Sequence, residues 1–539
     1  MRKLLLLTAS FIFAILLVAC GSDLVVAPTE PSNEPTNAPA LRSTPVRETP
    51  ESDNATSESA DPEVATNEPT SPTSDETEFP KQVLILYTND EHGWMEGVDE
   101  GLGASNLVGT WHENHDFEEY DAVIRLSGGD MWTGPAISTW FEGESMVEVL
   151  NLMDYSAAAV GNHEFDFGLT KLTENGLNST FPFVSANIRW KDSGETPTDL
   201  NIWPYVIQEV GGIRVGITGL TTTSTPRTTN PANVRELDFL NYEQSLREII
   251  PQIVAEDVDL ILVPGHVCLN ELQILARQIE DLPIDLLGGG HCNELYADTV
   301  RDTAVVIGGS HLAAYAWADL TVDEGGNTTN AIGFEWTNDD AEPDAEIDQA
   351  VSRWMAEADK ALNKKIGELA KPLQRRGIEQ QALITESWLW WFPSADIALT
   401  NLGGFRADLT AGDVTQGTII NVFPFSNVVV EVDLTGQEVL RILGRRSNDL
   451  AIGGVELSGG QWRFKSTGAE IDTAETYTVL VNDFMFAGGD GYEMLAEQDP
   501  DGYNTAVDWR QPLIDWISDE GAPGLTLEER IEDLIEKGG

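Results

Sequence analysis

Five short apolar runs along the chain end in the same way. Val83 to Tyr87 leads into Asn89-Asp90-Glu91-His92-Gly93, and Ala122 to Leu126 leads into Ser127-Gly128-Gly129-Asp130. Ala159-Val160 lead into Gly161-Asn162-His163-Glu164-Phe165-Asp166, Leu260 to Val263 into Pro264-Gly265-His266, and Ile284 to Leu287 into Gly288-Gly289-Gly290-His291-Cys292-Asn293. Runs of this length and composition, closed by glycine, are predicted strands. A metal-capable side chain after each strand end puts those side chains along one edge of a sheet, where open α/β folds bind ligands. Any one of these stretches alone is adequately read as a capped turn or a satisfied histidine. Five in succession point to a shared site.

Further along, Val351, Trp354, Met355, Ala358 and Leu362 recur at spacings of three and four after the polar stretch Thr337 to Asp348. That period predicts a connecting helix over 341–369. It divides the folded part into a first domain at 81–340 and a second at 370–539, in keeping with the length. Residues 20–80 are rich in Pro, Ser, Thr and acidic side chains and poor in large apolar ones, so they form a tether without a core of its own. Before them, Arg2 and Lys3 precede an apolar run from Leu4 to Ala19 that is too short for a spanning helix and reads as a signal peptide over 1–19.

The order of the strand-end motifs resembles the calcineurin-like metallophosphoesterases, and within them the bacterial 5'-nucleotidase and UDP-sugar hydrolase family, over residues 81 to 539. Leu17-Val18-Ala19-Cys20-Gly21 looks like a lipobox, in which Cys20 carries the lipid. The resemblance implies an α/β protein: an N-terminal metallophosphoesterase β-sandwich flanked by helices, plus a second α/β (α+β) C-terminal domain. It also implies two divalent ions that activate a water and clamp phosphoryl oxygens. Asp90 and His92 hold the first, Asp130 bridges, and Asn162, His266 and His291 hold the second. Where relatives of this kind usually read Gly-His-x-His, this chain has Asn293, a neutral and weaker ligand for the first ion. Zinc or manganese is expected, with calcium or cobalt as alternatives. His163, oriented by Asp166, is implied to stabilise charge on the transferring phosphoryl group. His112, His115 and His311 match no position of the pattern and are read as surface or core residues.

The second domain carries Asn401-Leu402-Gly403-Gly404-Phe405-Arg406, Val422-Phe423-Pro424-Phe425-Ser426-Asn427, Asn482-Asp483-Phe484 and Gly488-Gly489-Asp490-Gly491-Tyr492. Glycine turns of this kind bring a guanidinium and aromatic faces close to a ligand, and they look like the nucleotide-binding segments of the family. By that resemblance Asn401 and Arg406 contact the phosphate or its neighbour, Phe425 and Tyr492 sandwich the base, and Asp490 binds the ribose hydroxyls. A further arginine is expected near Arg375-Arg376, without a choice between them. The cluster Trp388, Trp390 and Trp391 is read as core.

The formal net charge is −59, of which the tether contributes only −11 (13 acidic residues against Arg42 and Arg47), so the folded body is itself strongly acidic. Such a surface repels nucleic-acid polymers and anionic membranes. The three cysteines are Cys20, Cys268 and Cys292. The last two follow His266 and His291 closely; two small buried thiols is the reading adopted, with a disulfide in an oxidising compartment as the alternative. The expectation is therefore a lipid-anchored, extracytoplasmic phosphohydrolase acting on a nucleotide or nucleotide sugar. Its rival is a lipid-anchored nucleotide-binding or adhesive surface protein whose metal site has decayed at Asn293.

Overall fold

The expected strands pair into two sheets whose neighbouring edges carry the candidate residues. The computed structural model describes residues 79–98, 101–519 and 525–537; the expected signal peptide, Cys20 and the expected tether up to residue 78 lie outside them. Lys81–Thr88, Ala122–Ser127 and Ala157–Ala159 run parallel as neighbours in a seven-stranded sheet. Leu260–Val263 and Leu286–Gly288 run parallel as neighbours in a six-stranded sheet. Side chains alternate between faces along a strand. Val83, Ile85 and Tyr87 pack with Ile217, Leu262 and Val306 of the second sheet. Leu84 and Leu86 pack with Leu107, Trp111 and Leu150 of helices Ala104–Asn114 and Glu144–Leu152. On the far side of the second sheet, Ile261, Val263 and Leu287 meet Leu246, Ile250 and Leu272 of helices Tyr242–Val254 and Leu269–Gln278. The result is the helix-flanked β-sandwich that the resemblance implies. Strands buried on both faces read as continuous apolar runs rather than alternating ones, which is why these were visible in the sequence.

The C-terminal part is built on a mixed five-stranded sheet, in the order Leu450–Gly453, Ile397–Asn401, Thr476–Asn482, Val428–Thr435, Tyr503–Asp508. Helix Ile378–Trp391 covers one face through Leu383, Ile384 and Trp388. Helix Gly436–Arg446 covers the other through Val439, Ile442 and Leu443. The second helix starts in a reciprocal capping box between Thr435 and Glu438, which satisfies N–H groups that the helix itself leaves free.

Three expectations change. The helix expected over 341–369 spans Ala345–Leu362, opening on an Asp344 side chain that accepts from the N–H groups of Glu346 and Ile347. Lys365–Leu369 is instead a strand paired with Gly412–Thr415, because hydrogen bonds to a distant partner override a local period that continues through Ile366 and Leu369. Of the tryptophan cluster, only Trp388 is core: its indole N–H donates to the Trp509 carbonyl at 2.8 Å, whereas Trp390 and Trp391 are exposed. Cys268 and Cys292 form a disulfide, and Cys292 is exposed, so the reading of two small buried thiols is wrong. The loops that follow two parallel neighbouring strands lie side by side, which brings the two Cα atoms to 5.2 Å, within bridging range. Among the described residues no helix is long and apolar enough to cross a membrane.

Candidate active site

Asp90, Asp130 and Asn162 leave strand ends of the first sheet, and His266 and His291 leave strand ends of the second. Tyr87 locks the two edges together across the sandwich. Its hydroxyl donates to the Gly289 carbonyl at 2.9 Å and accepts from the Gly265 N–H at 3.2 Å, fixing the two loops that carry the histidines. Gly288 is required beside it, since a Cβ there would stand 2.3 Å from the tyrosine ring. Asp90, His92, Asp130, His291 and Asn293 all adopt left-handed backbone, with φ of 52°, 48°, 62°, 74° and 56°. Among non-glycine residues this conformation is uncommon and is adopted most readily by Asp, Asn and His, the types present here, and it clusters at functional sites.

Asp130 is the centre of the arrangement. Its Oδ2 lies 2.9 Å from His266 Nε2 and 3.9 Å from both His92 Nε2 and His163 Nε2. His92–Asp130–His163 and Asp130–His266–His291 each gather three ligand-capable atoms within 4.8 Å of one another, and Asp130 belongs to both groups. Backbone groups orient the imidazoles: His92 Nδ1 faces the Thr133 carbonyl and His266 Nδ1 the Gly128 carbonyl, each at 2.9 Å. Such outer contacts fix the tautomer that leaves Nε2 for a metal. Burial works to raise the Asp130 carboxyl, but His266 and then His163 hold it well below the usual carboxylate range. In turn, burial works to lower His266, but Asp130 lifts it to about 10. This buried carboxylate cluster draws positive charge to itself. Asp90 Oδ1 and Asn162 Oδ1 are buried with no hydrogen-bond partner among the described residues. Orphaned acceptors and a shared carboxylate amid imidazoles fit two cations with Asp130 in common.

Asn293 is exposed and lines the same cavity. His163 Nδ1 lies 2.7 Å from Asp166 Oδ2. A carboxylate only accepts, so Nδ1 carries the hydrogen and Nε2 is left free.

The cavity, about 250 Å³, is completed by Asn401, Arg406, Phe425 and Asp490. Arg406 stands 3.4 Å from His92 Nε2 and 5.7 Å over the Phe425 ring, while Phe425 stacks on His163 with centroids 5.6 Å apart. Asn401 donates to Asp490 Oδ2 at 2.8 Å and accepts from Asn482 at the same distance. Tyr492 does not line this cavity. It is 1 % exposed, packed in the core beneath helix Gly436–Arg446, and the aromatic that lines the cavity with Phe425 is Phe484. The turn at 488–491, with left-handed Gly488, Asp490 and Gly491, sends Tyr492 inward. Gly489 leaves room for the Phe484 ring, which a Cβ would meet at 2.4 Å.

Other residues were missed or misread in the sequence. His311 borders the site, its ring 5.8 Å from that of His92, whereas His112 packs against Phe117 and His115 meets the Tyr315 hydroxyl at 3.0 Å. Neither Arg375 nor Arg376 lines the cavity; they brace the 402–405 turn by donating to the carbonyls of Phe405 and Leu402. Glu164 accepts from the N–H groups of Gly161, Asp130 and Met131 at 2.6, 2.8 and 2.7 Å, tying together the two loops that carry Asp130 and Asn162. Its place within Gly-Asn-His-Glu was the signal available.

Residues 368–497 match the family described as 5'-nucleotidase, C-terminal domain. The chain is 26% identical over 484 residues to the trifunctional nucleotide phosphoesterase protein YfkN of Bacillus subtilis, a match that takes in 77% of this chain but only 32% of that longer protein. It is 26% identical over 510 residues to the 5'-nucleotidase of Vibrio cholerae, covering 81% of this chain and 90% of the relative. Among solved structures, the 5'-nucleotidase precursor of Thermus thermophilus superposes with a TM-score of 0.68 at 26% identity, over 81% of this chain and 96% of that one.

Proposed function

Since the chain belongs to the 5'-nucleotidase family, we propose that it is a metal-dependent phosphohydrolase that removes phosphate from nucleotides outside the cytoplasm. The observation that carries this reading is the single cavity in which Asp130 and its imidazoles face Arg406, Phe425, Phe484 and Asp490. Two divalent ions, zinc or manganese with cobalt or calcium as alternatives, would be held by Asp90, His92, Asp130 and Asn293 and by Asp130, Asn162, His266 and His291, and would supply an activated water and neutralise phosphoryl charge. Arg406 binds the phosphate, its guanidinium held beside the site by the ring of Phe425. His163, its Nδ1–H held by Asp166, donates from Nε2 in its protonated form to the phosphoryl oxygens and stabilises the charge that grows there. Phe425 and Phe484 hold the base, and Asp490, steadied by Asn401, takes the ribose hydroxyls.

The sequence supports a setting outside the cytoplasm through its leader and lipobox, with the membrane reached through a lipid on Cys20. The Cys268–Cys292 disulfide fits an oxidising compartment. Domain boundaries at 81–340 and 370–539, joined by 341–369, belong to the same proposal. The helix in that joint, Ala345–Leu362, is the natural hinge for opening the cavity to substrate.

Stripping metal from the full chain with a chelator is expected to abolish phosphate release from AMP, ADP, UDP-glucose and 2',3'-cyclic AMP alike. Adding zinc, manganese, cobalt or calcium should restore release from at least one of them. No turnover of any of these nucleotides in any of the four ions would overturn the reading. Phe484→Ala is expected to raise KM for the nucleotide about tenfold, since stacking is worth roughly 1–3 kcal/mol per aromatic face. Tyr492→Leu should lower the melting temperature and leave KM within about twofold. The reverse pattern would return the stacking role to Tyr492.

A further inference from the structure

One wall of the cavity is formed by Thr228, Thr229 and Asn230. They lie in a polar segment, Thr222-Thr223-Ser224-Thr225-Pro226-Arg227-Thr228-Thr229-Asn230-Pro231, folded as two single helical turns, Thr225–Thr228 and Pro231–Val234. Each turn carries a proline at its start, where a missing N–H costs nothing. Between them Thr229 is extended and 2 % exposed. Its hydroxyl donates to Asp166 Oδ1 at 2.8 Å, while Asp166 Oδ2 receives His163 Nδ1 at 2.7 Å. Each oxygen of the Asp166 carboxylate therefore has one side-chain donor, and the carboxylate plane is fixed from both ends.

The same segment fixes its neighbours. The Thr228 carbonyl accepts from Asn162 Nδ2 at 3.2 Å, so the amide oxygen is the Asn162 atom left without a partner. Asn233 donates to the carbonyls of Phe165 and Asp166 at 2.9 and 3.0 Å. Asn230 donates to Asp483 at 3.1 Å, and Asp483 directly precedes the cavity aromatic Phe484. The Thr229 hydroxyl is thus held in place by contacts on both sides of it.

We propose that Thr229 is a positioning residue for phosphoryl transfer: its hydroxyl holds the Asp166 carboxylate so that His163 keeps its hydrogen on Nδ1 and its Nε2 toward the phosphoryl group. The proposal rests on the phosphohydrolase reading above. Thr229 acts through Asp166 and His163, not by touching the nucleotide. Replacing the methyl-bearing alcohol by its isostere valine removes the donor while keeping the shape, and leaves Asp166 Oδ1 without a partner in a buried place.

The test uses the full chain loaded with metal and compares wild type, Thr229→Val and Thr229→Ser on AMP. Thr229→Val is expected to lower kcat about tenfold or more with KM within about twofold, the pattern of an interaction that matters only in the transition state. Thr229→Ser, which keeps the hydroxyl, restores kcat. In an Asp166→Ala background the valine change has no further effect. An unchanged kcat, a rise in KM alone, a serine variant as poor as the valine variant, or additive losses in the Asp166→Ala background would each overturn the proposal. If wild type turns over no nucleotide, the phosphohydrolase reading falls separately. Thr229 is then judged by nitrogen-15 histidine spectra. An Nδ1–H signal of His163 present in wild type and lost in Thr229→Val supports the positioning role, and equal signals refute it.

Discussion

Replacing His163 with alanine is expected to lower kcat for phosphate release by about 10²–10³-fold, the usual contribution of a donor placed on charge that develops in the transition state. KM and bound metal should change far less. Burial works to lower the imidazole, but the Asp166 and Asp130 carboxylates more than offset it and raise its affinity for a proton. The side chain therefore carries positive character close to the cavity. The His163 backbone N–H, which donates to Asp130 Oδ1 at 2.8 Å and helps Glu164 tie this loop to Asp130, survives the substitution. Activity within about threefold of wild type would remove His163 from the mechanism.

Glu164→Ala is expected to cost at least about 3 kcal/mol, because it strands three buried N–H donors at roughly 1–3 kcal/mol each. At about 2–4 °C per kcal/mol, the melting temperature should fall by at least roughly 6 °C. Metal content should fall with it, since the carboxylate sets the approach of the Asp130 and Asn162 loops. Gly161 belongs to the same joint: a Cβ there would stand 2.2 Å from Asp130 Oδ1 and 2.8 Å from Glu164 Oε2. Calorimetry of the purified variant decides. A melting temperature within about 2 °C of wild type would mean that other groups take over these donors.

The contrast between His163 and Glu164 indicates how far the sequence could be read. Strand ends bearing Asp90, Asp130, Asn162, His266 and His291 were legible because these strands are buried on both faces, apart from the half-buried Val123 and Arg125 in the strand before Asp130, so the apolar runs stand out and the polar residues after them stand out more. Glu164 sits in the same motif, yet its partners Asp130 and Met131 lie more than thirty positions away. No local period announces that contact. Tyr492 directly follows Gly491 and Phe484 lies four residues before Gly488, and the left-handed turn through Asp490 separates the ring that enters the cavity from the one that enters the core. Likewise, the end of the connecting helix at Leu362 was hidden, because Lys365–Leu369 is claimed by a strand nearly fifty residues further on. Thr229 gave no signal in the sequence at all. Its role depends on an extended residue between two proline-started turns meeting a carboxylate from another loop.

The measurement that tests the central claim most directly is phosphate release from AMP by the full chain in manganese or zinc, run beside Asp130→Asn with metal content determined for both. The account predicts release by wild type with about two ions per chain, and loss of both release and metal in the variant, since Asp130 belongs to both groups. Nucleotide binding by wild type with one ion or none, and no release, would contradict it. That outcome would leave a nucleotide-binding surface protein in place of an enzyme.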